Sequence, residues 1–278
     1  MILASALNLD LAQPLQRSHE LAAGLQFFGL GIPGLMGAKM LNLCDLPGPL
    51  SQGRHGTLSG LKVQSDGGTR SSGWKAPTRR GGMGELKFEN STTQYVEIAD
   101  HPTLKLVNTF TIAFWVFITT AGGCIITKFG SGGTGDNSGI RLQTSLFVTE
   151  LNGNPLSGTV SISTWQHWTL VSRSSGSLLY LNSNQVATGT AITDWFNNTG
   201  VLRIGAATES FFGSTQVAME GSIDAIMLWN RSLSARSVRY VYDLSLQGFP
   251  GLLKRLSTWG WGQAPASAYY YQWRRRAA

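Results

Sequence analysis

The feature that most constrains this chain is a ten-residue run, Thr109-Phe110-Thr111-Ile112-Ala113-Phe114-Trp115-Val116-Phe117-Ile118. A strand sends alternate side chains to opposite faces. Here both alternating sets are largely apolar, so the run reads as a central strand covered on both sides. Further short strands follow at close intervals: Gln94 to Ile98, Cys124 to Phe129, Gly139 to Val148, Thr159 to Ser163, His167 to Arg173, Leu178 to Asn182, Val201 to Gly205 and Ser222 to Trp229. Gly, Asn and Ser separate them and helical periodicity is almost absent, which predicts an all-β, antiparallel sandwich or barrel. Tyr180 to Val186 reads as a tight hairpin. One helix is predicted: Ser234 can cap it, and Val238, Val241 and Tyr242 recur at the spacing that packs one face on a sheet.

Composition narrows the classes. With 34 Gly and only 37 charged residues among 278, and 42% hydrophobic residues, the chain is neither a disordered polyelectrolyte nor a coiled coil. Residues 21–38 are interrupted by Gln26, Pro33 and several glycines, so no run of about 20 apolar residues spans a membrane. Met1 to Leu11 lacks a basic region and is broken by Asp10, so no secretory signal is expected. Cys44 and Cys124 match no zinc or redox spacing, and without an oxidising compartment they are expected as two unpaired thiols rather than a disulfide.

Several motifs carry a functional and a plain reading. Gly130-Ser131-Gly132-Gly133-Thr134-Gly135 matches G-x-G-x-x-G, but a dinucleotide site needs a helix N-terminus directly after the glycines, and the sequence here leads into another strand. A hairpin loop is expected instead. Glycoside hydrolysis needs two carboxylates about 5 Å apart, or roughly 6.5–9.5 Å for inversion. The best pair on one strand, Glu220 and Asp224, shares a face at roughly 13 Å, so no enzyme activity is expected. His19, His55, His101 and His167 show no metal spacing. His167, between Trp165 and Trp168, is expected as a hydrogen-bonded structural histidine. Asn90, Asn197 and Asn230 begin formal glycosylation sequons and read as turn residues. Trp115, Trp165, Trp168 and Trp229 could stack on sugar rings, and strand periodicity assigns them to the core.

The order of several motifs resembles a known family. Leu86-Lys87-Phe88, Tyr95-Val96-Glu97-Ile98 and Phe110 to Val116 resemble the opening of a laminin-G-like, concanavalin A-like jelly roll. Trp165 to Val171, Leu179 to Asn182 and Leu202 to Gly205 are similar to its middle, and Gly221 to Ser234 to its closing strand and helix. Leu43 to Leu46 with Arg54 to Leu58 resembles the strand that precedes the domain. The resemblance covers residues 41–245, leaving an N-terminal arm at 1–40 and a basic aromatic C-terminal arm at 246–278.

The fold hosts lectins, adhesion modules, glucanases and virion proteins alike. The resemblance implies binding of glycans or proteins through loops at the sheet edge. On that expectation a glycan site falls on Asp136, Asn137, Arg141, Asn152, Asn154 and Asn197. The family sometimes uses Ca²⁺, for which Asp136 could supply a ligand, though no second acidic loop residue accompanies it.

The net charge of +7 is unevenly placed. Residues 1–84 carry 8 basic and 4 acidic residues, 85–245 carry 9 and 11, and 246–278 carry 5 and none. Trp259, Trp261, Trp273, Arg274, Arg275 and Arg276 make the C-terminal arm a partner-binding segment, and the interleaved aromatics favour a protein partner over nucleic acid. A jelly roll of an extracellular type on a chain without an export signal fits assembly into a virion, such as a bacteriophage particle, in the host cytoplasm. The expected partners are other capsid or tail proteins or its own subunits, with host surface glycan outside; a free, cell-surface lectin-like module is the alternative, and a glycoside hydrolase is the third reading.

Overall fold

A computed structural model describes residues 21, 23–30, 39–42, 44, 54–61, 72–75, 77–82, 84–120, 122–128, 138–143, 146–150, 156–192, 196–207 and 218–247. In chain order these form β1 (Leu25–Leu30), β2 (Lys39–Asn42), β3 (Gly56–Ser59), β4 (Gly73–Lys75), β5 (Glu85–Glu89), β6 (Tyr95–Ile98), β7 (Phe110–Ile118) and β8 (Cys124–Lys128). There follow β9 (Ser138–Gln143), β10 (Leu146–Glu150), β11 (Leu156–Thr159), β12 (Trp165–Arg173), β13 (Gly176–Leu181), β14 (Asn184–Gly189), β15 (Leu202–Ile204) and β16 (Glu220–Trp229). Helix α1 (Ala235–Gln247) closes the described chain.

All pairings are antiparallel. The front sheet runs β14-β13-β12-β7-β16, and the far edge of β16 is shared: residues 220–223 pair with β5 and residues 226–229 with β1. That change of partner falls at a bulge between Asp224 and Met227, where Ala225 takes a positive φ of 52°. A bulge bends the strand and leaves a residue unpaired, which lets β16 serve two neighbours in turn. The back sheet runs β11-β10-β9-β8-β15-β6-β3-β2, and β2 also pairs with β1, joining the two sheets at one edge.

The doubly apolar run is explained by three layers. Phe110, Ile112, Phe114, Val116 and Ile118 of β7 face the core between the sheets, with Trp168, Ile223 and Leu228 from the front and Val96, Ile98, Ile126, Leu202 and Ile204 from the back. The alternate set of β7 faces outward. Ala113 and Trp115 from that set pack with Phe28, Met227 and Trp229 under Val238, Val241 and Leu244 of α1. Each of those three helix side chains is buried, at about 1.5–3 kcal/mol apiece. Ser234 caps the helix by accepting from the Ser237 amide at 3.1 Å.

The hairpin at Asn182-Ser183 is present, with both residues at positive φ (48° and 68°), as a tight two-residue turn requires. Other boundaries move. The single strand predicted from Gly139 to Val148 is two strands of a hairpin, β9 and β10. The strand predicted at Thr159 to Ser163 ends at Thr159, and Ser163 adopts φ 59° in the turn into β12. Residues 25–30, expected within an arm, form β1 beside β16, and the Trp229 indole and the Arg231 guanidinium donate to the Leu21 and Ala23 carbonyls. Cys44 and Cys124 are not joined in a disulfide, and the second is fully buried.

Candidate functional site

The strands of the front sheet place side chains in transverse rows on its outer face. In one row His167 of β12 lies opposite Trp115 of β7, which lies opposite Asp224 of β16. All three are buried. Arg79, in a turn closed by the Gly82 amide on the Arg79 carbonyl, reaches over this row and donates to Asp224 Oδ2 at 2.7 Å. Its guanidinium lies 4.7 Å from the Trp115 ring centroid and also donates to the Ser245 carbonyl on α1 at 3.0 Å. Trp115 Nε1 donates to Ser245 Oγ, and Tyr242 stacks on the Trp115 ring at 5.6 Å. The row is therefore a clamp that ties helix and turn to the sheet.

Its electrostatics follow from burial. Burial pushes the Asp224 carboxyl up, against the pull of Arg79, and the nearby Glu85 adds to the rise. Asp224 Oδ1 has no hydrogen-bond partner. His167 differs from expectation: it is structural, but neither ring nitrogen has a partner. Two of its neighbours are rings, Trp115 at 5.1 Å and Tyr242 at 5.6 Å. Burial, with the Arg79 charge adding to it, pushes the imidazole down to about 3, so it is neutral at ordinary pH.

One step along the same strands, the next row is open. Trp165 pairs with Phe117, which pairs with Ser222, which pairs with Lys87 of β5. Trp165, Phe117 and Lys87 are only half-buried. Trp165 and Phe117 contact each other at 5.7 Å, tilted by 52°. The Trp165 indole donates to Thr78 Oγ1 at 2.9 Å, and Thr78 donates from both its hydroxyl and its amide to Glu85 Oε2. Ser222 donates to the other oxygen, Oε1, at 3.2 Å. Glu220, two residues before Ser222, lies directly opposite Glu89.

Of the loop residues expected to bind glycan, Asn197 is exposed in the turn at 196–200. Its neighbour Asn198 is buried and accepts from the ammonium of Lys128, the last residue of β8, which also pairs with Asp100 at 2.7 Å. The turn is thus fastened to the end of β8. Arg141 lies on β9, opposite Cys124 and Val148. Asp136, Asn137, Asn152 and Asn154 lie outside the described residues, as do Trp259, Trp261, Trp273, Arg274, Arg275 and Arg276. Among the described residues no group of three His, Cys, Asp or Glu side chains could hold a metal ion, and the Gly130–Gly135 run is followed by a strand, β9. No described helix is long and apolar enough to cross a membrane.

A family model, Laminin_G_3, described as the concanavalin A-like lectin/glucanases superfamily, matches residues 90–239, more than half of the chain. The chain belongs to this family. The matched span runs from the turn after β5 to the middle of α1, so in this Laminin_G_3 chain both rows lie on strands of the family fold, while Arg79, Thr78, Glu85 and Lys87 come from residues before it.

Solved structures agree on the fold. The botulinum neurotoxin serotype G binding domain superposes with a TM-score of 0.53 at 13% identity, covering 78% of this chain and 50% of that one. Trypanosoma rangeli sialidase in complex with sialic acid gives 0.54 at 12% identity, covering 81% and 34%. The Laminin_G_3 chain thus spans half or less of these two proteins, and at such identities the likeness is one of fold. No curated protein matches the sequence.

Four strand tryptophans were assigned to the core. Trp115, Trp168 and Trp229 are there, at 4%, 0% and 1% exposure, and Trp165 is the exception. The carboxylate that faces Glu220 is Glu89 and not Asp224, a partner visible only once β5 and β16 are paired.

Proposed function

We propose that this Laminin_G_3 protein is a non-enzymatic glycan-binding protein carried on a virion, its jelly roll outward and its basic flanks toward capsid or tail proteins or its own subunits. The observation that carries the binding reading is the fate of Asp224. Two-carboxylate hydrolysis needs both groups to face the substrate. Asp224 is instead held by Arg79 at 2.7 Å beneath the clamp. The particle reading is supported by charge: the flanks hold the excess of basic residues, whereas residues 85–245 carry 9 basic against 11 acidic. Binding of the full chain to a glycan array, and its presence in purified particles from its source, test the two parts; absence from those particles removes the virion role and leaves the free lectin-like module.

One observation favours a second reading, a glycoside hydrolase. Glu220 and Glu89 are cross-strand neighbours on one face, and such pairs hold their Cβ atoms about 4.5–5.5 Å apart, near the separation of a retaining enzyme. Hydrolysis of β-glucan by the purified chain, lost in both Glu220→Gln and Glu89→Gln, would establish it; an unchanged polysaccharide supports binding alone.

A further inference from the structure

We propose that the open row of the front sheet is a saccharide-binding platform, with Trp165 and Phe117 as its stacking floor and Lys87 and Glu220 as its polar rim, selecting neutral hexopyranose chains. The proposal rests on the glycan-binding reading and names the place where it happens, a sheet face rather than the edge loops.

Three observations converge. First, Trp165 packs half-buried against the cluster beneath α1 and is held by a polar chain as well. Its indole donates to Thr78, whose hydroxyl and amide are anchored on Glu85, and that carboxylate is 5% exposed and also accepts from Ser222. A buried carboxylate with three donors fixes Thr78, and Thr78 fixes the ring. Holding a half-exposed ring in one orientation before binding removes the cost of ordering it on binding.

Second, the charged groups on this face are uncommitted. Neither Lys87 nor Glu220 makes a side-chain hydrogen bond or ion pair among the described residues. One offers only donors and the other only acceptors, which suits a ligand whose hydroxyls do both.

Third, the dimensions fit. The row from Trp165 to Lys87 crosses three strand spacings, roughly 14 Å, and Glu220 stands roughly 7 Å to one side of Ser222. That is room for two or three linked rings. The C–H face of a pyranose carries the slight positive charge that the negative face of an indole attracts. A proline-rich peptide would also stack on paired aromatics, but it has few hydroxyls to use the free acceptor and donor.

The test uses the full chain and trisaccharides of β-1,4-, β-1,3- and α-1,4-linked glucose and of N-acetylglucosamine, followed by calorimetry and by the indole N–H resonances. At least one trisaccharide is expected to bind and to shift the resonance that Trp165→Phe removes. Trp165→Ala should weaken binding at least tenfold, and Lys87→Met with Glu220→Gln three- to tenfold with no fall in melting temperature. Thr78→Val should weaken it a few-fold and shift the same resonance in the free protein, marking Thr78 as a positioning residue. Binding lost in Asn197→Ala but unchanged in Trp165→Ala overturns the platform and leaves glycan binding at the loops. Binding of a proline-rich peptide and of no sugar overturns both, as does a full chain that binds none of the sugars.

Discussion

His167, Trp115 and Asp224 make one row across β12, β7 and β16, and Trp165, Phe117 and Ser222 make the next, two residues along each strand. The two rows share a face, a fold and a similar choice of side chains, and one is sealed while the other is open. The sealed row carries a charged pair whose two side chains are 4% and 2% exposed, and an imidazole with no partner. The open row carries half-buried rings, unpaired charges and a hydrogen-bond chain that leads outward to an indole. Cover makes the difference. Arg79, Tyr242 and Ser245 roof the first row, and Thr78 only borders the second. The same residue types therefore hold the fold together in one place and remain available to a ligand in the other.

The most severe way to break the comparison is Arg79→Ala. It leaves Asp224 buried without its partner, and removing one member of such a pair costs about 3–5 kcal/mol. The denaturation midpoint should fall accordingly, with α1 loosened because the Ser245 carbonyl also loses its donor. The double variant Arg79→Met with Asp224→Leu should recover most of the loss, since an apolar pair of similar size has no charge to desolvate. If Arg79→Ala cost less than about 1 kcal/mol, the value of an exposed pair, the sealed row would be no more buried than the open one.

That pair also shows what could be read beforehand. The two apolar faces of β7 are written in ten consecutive residues, so a strand covered on both sides was legible, as were the hairpin within 180–186 and the Ser234 cap. Arg79 and Asp224 are 145 positions apart, and no local pattern links them. Trp115 and Trp165 both sit in strands of similar texture. Trp115 lies inside the cluster beneath α1, whereas Trp165 packs against the outside of that cluster and stays half-buried, and only the assembled fold separates the two. The opposition of Glu89 and Glu220 was hidden for the same reason, because register between strands far apart in sequence is a property of the assembled sheet.

A smaller effect comes from His167→Phe. The phenyl ring fills nearly the same space and removes two buried nitrogens that have no partner, a change that is neutral or stabilising by about 1 kcal/mol at pH 7. The sharper difference is in pH. With a folded value of about 3 against 6.5 unfolded, the unfolded chain takes up the proton first. His167 therefore leaves stability intact above pH 6.5 and lowers it as pH falls toward 3, with a slope near 1.4 kcal/mol per pH unit at its steepest. Asp224 acts in the opposite sense: its raised folded value means that protonation on acidification favours the folded state. The difference between wild type and His167→Phe isolates the histidine, and urea midpoints between pH 7 and 4 should diverge. Parallel midpoints would mean that water reaches the sealed row.

The smallest effect belongs to the open row, and its sign is informative. Glu220 stands opposite Glu89, and like charges directly across an antiparallel pair destabilise by a few tenths of a kcal/mol. Glu220→Gln should thus raise the melting temperature slightly, and the gain should shrink as salt is added because half-exposed charges are screened within about 10 Å at 0.1 M. A loss of more than about 1 kcal/mol would show that Glu220 is part of the scaffold, as Asp224 is. A small, salt-dependent gain means that the sheet carries this carboxylate at a cost to its own stability, and a charge kept on those terms has its use in something that docks on the face.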